Sequence, residues 1–175
     1  MDMEKTLAAS REIDVILGVC NYVQQSEEEL NKLIELILKG EKKVGERASW
    51  VLTKLADTHP ELISPYLNKL LSHLKNSANE TINRNIIRCL ENIDPEKTDQ
   101  DLAFEICYQY FENKSNPIAV RVFAMSFLSK IALKYPEFRE ELILLIEDEM
   151  PYASPAFKSR GMKVLKLLKT PSGRH

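Results

Sequence analysis

Few residues in this 175-residue chain have the type and spacing that covalent chemistry requires. His59 is followed by Pro60 and His73 by Leu74, and neither stands at a metal-ligand spacing from a carboxylate or thiol. Cys20, Cys89 and Cys107 form no pair or zinc-like set, and three scattered thiols suit a reducing compartment better than a disulfide framework. Neither a glycine-rich phosphate loop nor a Gly-x-Ser-x-Gly elbow occurs. The sequence therefore points to no catalytic residue, no cofactor and no metal. What remains is binding chemistry, carried by cations and one tryptophan: Arg47, Trp50, Lys54, Arg84, Arg88, Arg121, Lys130, Lys158, Arg160 and Lys163.

The elements that position these residues emerge from a repeat. The stretch ASWVLTKLADTHPE at 48–61 matches AMSFLSKIALKYPE at 124–137, an offset of 76. Half that step carries Leu52 to Leu90 and on to Leu128. It also links Val44, Ile82 and Val120, then Val51, Cys89 and Phe127, and Leu55, Ile93 and Ile131. A further step of 37 reaches Gly161, Val164, Leu165 and Leu168. Within each copy the apolar positions share one helical face, so four copies of one amphipathic helix are expected. Cys89 is then a core filler, and Cys20 and Cys107 are expected in the core too.

Each of these second helices (41–58, 78–93, 117–135 and 155–169) follows a first amphipathic segment. The expected first helices are Glu27 to Lys39, Glu61 to Lys75, Asp101 to Glu112 and Glu137 to Met150. Ser26 with Glu29, and Thr98 with Asp101, have capping or acidic-first-turn spacing. Asn116-Pro117 and Ser154-Pro155 place a capping residue before a proline at the first helical position. Ser10 to Val23 forms a further helix over the open end. The expected organisation is an N-terminal capping helix in 1–25, a repeat array over 26–169 and a tail at 170–175.

Residues 116–131, NPIAVRVFAMSFLSKI, resemble the HEAT-repeat pattern through Pro117, Val120, Arg121, Ala124, Leu128 and Ile131. The copy at 154–168 keeps Pro155 and Leu165 but has Lys158 and Ser159 where Val-Arg would stand. The resemblance implies an all-α fold, an α-α superhelix of about four helix pairs of the HEAT or armadillo kind. It also implies the non-catalytic binding role common to such scaffolds. Some HEAT-like hydroxylases hold iron through His-Glu pairs, which His59-Pro60 and His73-Leu74 do not reproduce. Met150-Pro151-Tyr152 resembles part of the Met-Pro-x-Lys-x-Asn signature of adenylosuccinate lyases, and the chain is similar to short bacterial helical proteins that sometimes carry that name. Ala153 stands in place of the signature lysine, so a lyase-related enzyme ranks last among the readings.

The net charge of −2 hides a strong segregation. The second helices hold 14 Lys and Arg against 5 Asp and Glu, while the first-helix segments with their leading turns (26–39, 60–75, 96–112 and 136–150) hold 6 against 16. The resemblance places second helices on a concave face, which would then be basic. Such a face suits an acidic protein segment, with a phosphate backbone as the alternative ligand. The plainer reading is that these charges solvate exposed faces. Trp50 is either an anchor on that face or packed between neighbours. No leader or long apolar run is visible, which suggests a cytoplasmic protein that does not enter membranes. Either a monomer or a homodimer joined at an open end fits the pattern.

Overall fold

A computed structural model describes residues 1–170, so residues 171–175 of the expected tail lie outside the described residues. Every regular element among the described residues is helical. The chain divides into two compact units, Met1–Ile93 and Asp94–His175.

The first unit contains α1 (Met3–Ala9), α2 (Ile13–Val23), α3 (Glu27–Lys39), α4 (Lys42–Thr58), α5 (Pro60–Ile63), α6 (Leu67–Leu74) and α7 (Glu80–Cys89). Ser26 starts α3 as expected, its hydroxyl accepting from the Glu29 amide. The first helix expected from Glu61 to Lys75 is broken by the 3-10 turn Ser64–Tyr66. Pro65 is the reason: it has no N–H for the Glu61 carbonyl, so the α-helical ladder is interrupted there. Similarly, α7 ends at Cys89 and passes through a 3-10 turn, Leu90–Asn92, ahead of Pro95, which favours the extended backbone at Asp94. The N-terminal segment holds two helices where one is expected, with Asp2 capping the first through the Lys5 amide.

Helix α4 is the hub of this unit, packed by α1, α2, α3, α5 and α7. Its buried set includes Val44, Ala48, Val51, Leu52, Leu55 and Ala56. Gly45 sits where α4 passes α3 and α7. A β-carbon there would stand 3.2 Å from both the Leu36 carbonyl oxygen and the Ile82 side chain, so only glycine allows that approach without adjustment.

The second unit contains a 3-10 turn, Pro95–Lys97, then α8 (Gln100–Glu112), α9 (Ile118–Ala132), α10 (Pro136–Glu149) and α11 (Pro155–Lys169). Helix α9 is its hub, packed by α8, α10 and α11. Two capping expectations are corrected here. Asp99, not Thr98, caps α8 by accepting from the Leu102 amide at 3.1 Å. Asn116 does not cap α9; its amide donates to the Tyr110 carbonyl at 3.0 Å, and Pro117 precedes the helix without a side-chain cap. Ser154 does cap α11, accepting from the Phe157 amide.

The repeat register is visible in burial. Leu52, Leu90 and Leu128 are fully buried, as are or nearly are Val51, Cys89 and Phe127. In the last copy Gly161, Val164 and Leu168 are buried, while Leu165 stays partly exposed. Among the described residues no helix is long and apolar enough to cross a membrane.

Two stability outcomes follow. Phe127→Ala empties a core position and should cost about 3–5 kcal/mol in urea unfolding. Glu35 of α3 pairs with Lys39 at 2.7 Å and Lys69 of α6 at 2.5 Å. The hydrogen bond to Lys39, then that to Lys69, holds its carboxyl down at about 2 against an ordinary 4.5. A depressed carboxylate contributes stability that is complete above its ordinary value and vanishes as pH falls through the folded one. Melting curves of Glu35→Gln should therefore lose less between pH 4.5 and 2 than the parent's, by a small margin because the pair faces solvent.

Candidate functional site

The ten expected binding residues meet very different fates. In the first unit, the Arg47 guanidinium donates to the Ala8 carbonyl at 2.9 Å and to the Leu7 carbonyl, so it ties α4 to the end of α1. The Nη2 of Arg88 on α7 donates to both carboxylate oxygens of Asp57 on α4 at 3.0 and 3.1 Å. Asn92 adds a bond to the same carboxylate at 3.1 Å. A buried contact from Asn85 to the Ser49 hydroxyl at 2.9 Å lies on the same α4–α7 seam. Trp50 and Lys54 are partly exposed and Arg84 is exposed. This second-helix surface also carries Glu46 and Asp57, so much of its charge is already neutralised.

In the second unit, Arg121, expected on the binding face, lies inside the fold. It is only 2% exposed. Its Nη1 and Nη2 donate to the two oxygens of Glu149 at 2.5 and 2.6 Å, and its Nε donates to the Phe111 carbonyl at 2.8 Å. The guanidinium carbon lies 5.8 Å from the Phe111 ring centre and 5.1 Å from that of Phe157. One side chain thus joins the ends of α8 and α10 to the starts of α9 and α11. The signal was present in the sequence. Arg121 stands three, four and seven positions before Ala124, Met125 and Leu128, all buried, so helical periodicity puts it on the core face.

The other cations of this unit remain at the surface. Arg160 donates to the Ser126 hydroxyl and bridges α11 to α9. Lys158 reaches the Pro151 carbonyl at 3.4 Å. Lys130 is partly buried and Lys163 is exposed. Lys166, one turn after Lys163's neighbourhood on α11, is also exposed. Neither α9 nor α11 contains an Asp or Glu. No acid on these helices offsets their charge; Arg121 meets Glu149 and Lys169 meets Glu147, both on α10.

The potentially reactive groups are quiet. All three cysteines are free and buried. Burial pushes the Cys89 thiol up to about 12 and raises Cys107 and Cys20 as well. Thiolate nucleophiles are therefore disfavoured at neutral pH. His59 bonds to Glu61 at 3.1 Å, and burial lowers the His73 imidazole below its ordinary value. Among the described residues no three His, Cys, Asp or Glu side chains converge as metal ligands.

The profile of the HEAT repeat domain matches residues 3–168. The chain belongs to the HEAT repeat family. The match takes in α1 and α2 as well as the helices expected from the repeat. No curated protein matches the chain. HEAT repeats generally serve protein–protein interaction and are typically non-catalytic.

The Arg121 knot generates a direct test. Glu149→Gln leaves a buried guanidinium without its counter-charge and should cost about 3–5 kcal/mol. A paired replacement of Arg121 by Met and Glu149 by Leu should recover part of that loss. Chemical denaturation of the three variants measures both effects.

Proposed function

We propose that this HEAT repeat chain is a non-catalytic interaction module that takes up an acidic protein segment on the face formed by α9 and α11. The observation that carries this reading is the absence of any acid from both helices beside Lys130, Lys158, Arg160, Lys163 and Lys166. Burial of Arg121 against Glu149 subtracts one cation and leaves the others on the surface. A face with one sign of charge steers an oppositely charged segment and raises its association rate. On the first unit, Arg84, Lys54 and Trp50 form a weaker secondary surface, because Asp57 already holds Arg88.

A phosphate backbone carries the same sign as an acidic peptide. The peptide is favoured because the face offers few aromatic side chains on which bases could stack. Phe123 is only partly exposed, and Trp50 belongs to the first unit.

Fluorescence anisotropy with an Asp/Glu-rich peptide and a random-sequence DNA duplex, each at low and moderate salt, separates the readings. The expected result is saturable peptide binding, weakened about tenfold or more by the triple reversal K130E/K163E/K166E. Reversal of Lys54 and Arg84 should weaken it less. Unchanged peptide binding by the triple variant sinks the proposal. Tighter binding of the duplex with a steep salt slope replaces it with phosphate recognition.

A further inference from the structure

The opposite side of the second unit is built from first helices and carries a different kind of site. Between α8 and α10 lies a cleft of about 420 Å³ lined by Asp101, Phe104, Tyr135, Glu137, Phe138 and Glu141, among others. Its floor and walls are aromatic. Phe104 meets Phe138 edge-to-face, with ring centres 4.6 Å apart and planes at 81°. Phe104 also stacks on Tyr108 at 5.7 Å.

Two tyrosine hydroxyls brace the walls from either helix. Tyr135 donates to Gln100 at 3.3 Å, and Tyr108 donates to Glu141 at 3.2 Å. These bonds tie α8 to α10 and to the residue before it across the cleft. The cleft volume falls within the range of sites for small molecules or short segments.

Charge selects the occupant. No Lys or Arg lines the cleft. Lys134, next to Tyr135, is held by Glu96 at 2.5 Å. Among the described residues neither Asp101 nor Glu137 has an ion-pair partner. The acidic cleft of the first unit, near α1 and α3, differs on this point. There Glu28 and Glu29 already share Lys32, and Glu35 holds Lys39 and Lys69. The α8–α10 cleft instead combines aromatic surface with two carboxylates, Asp101 and Glu137, that have no ion pair among the described residues.

We infer that this cleft is a docking site for a basic protein segment that inserts an arginine between Tyr135 and Phe138, with Asp101 and Glu137 on the guanidinium. Arginine fits better than lysine because its planar group stacks on aromatic rings while its N–H fork meets carboxylates. The site is separate from the α9–α11 face and takes a ligand of opposite charge, so its test stands apart from that of the acidic-segment proposal. The second unit is then two-sided, able to hold an acidic and a basic segment at once.

The experiment titrates an acid-free, arginine-containing peptide, its lysine counterpart and an acidic peptide, using anisotropy at moderate salt. Tyr135→Ala and the pair D101K/E137K alter exposed residues, and melting curves establish that each variant folds. A control pair, E112K/E140K, changes net charge equally but off the cleft. The expected result is saturable binding of the arginine peptide, tighter than that of the lysine one. Tyr135→Ala and D101K/E137K should each weaken it by about tenfold, while the control pair leaves it nearly unchanged. Equal losses in the control pair would reduce the effect to bulk charge and overturn the inference. So would the absence of saturable binding, or an equal preference for the lysine peptide.

Discussion

A guanidinium taken out of water must have its charge met and its N–H groups bonded, and in the second unit that requirement organises the ends of four helices. Arg121 satisfies it with both oxygens of Glu149, the Phe111 carbonyl and two flanking aromatic rings. These groups come from the last turns of α8 and α10 and the first turn of α11. A displaced helix end would leave a buried charge uncompensated, at a cost of several kcal/mol. Pair geometry here is thus set by a polar constraint, laid over the apolar seam of Leu128, Phe127 and Phe157.

The same register position is filled differently in the earlier repeats. Stepping back by 38 from Arg121 reaches Asn83, and by 76 reaches Gly45. Asn83 donates to the Ser77 carbonyl, just as Arg121 donates to that of Phe111, but its buried Oδ1 accepts nothing. Gly45 places no side chain there and lets α4 close on the Leu36 carbonyl and Ile82. In all three repeats this position faces a backbone carbonyl at or just beyond the end of the preceding first helix: Leu36, Ser77 or Phe111. A large charged donor, a short polar one and a bare backbone are three answers to one local demand. Only the charged one needs a partner from another helix.

Segregation of charge between first and second helices has a functional consequence within the second unit. Because α9 and α11 lack acids and α8 and α10 are rich in them, neighbouring surfaces of one small body carry opposite fields. Helix dipoles do not account for this, since they sort charge by helix end and not by helix. The aromatic cleft lies between the acidic helices, and Lys163 and Lys166 are exposed on the basic α11. This segregation fits the interaction role general to HEAT repeats.

Much of the fold was legible because it depends on near neighbours in the chain. Amphipathic period, the Ser26 and Ser154 caps and the recurring Leu52, Leu90 and Leu128 need only local rules, and α3 spans Glu27–Lys39 as its sequence suggests. The break at Pro65 was equally local and could have been anticipated from its missing N–H. The binding surface was legible only as a sum of charges. Whether a cation is spent internally depends on groups far along the chain: Glu149 lies 28 residues from Arg121, and Asp57 lies 31 from Arg88. The cleft likewise exists because Phe104 and Phe138 meet across two helices. The sequence by itself determined helices, their repeat and their charge; tertiary structure decided which charges remain to meet a partner, because neutralisation and cavity walls are properties of side chains brought together from distant positions.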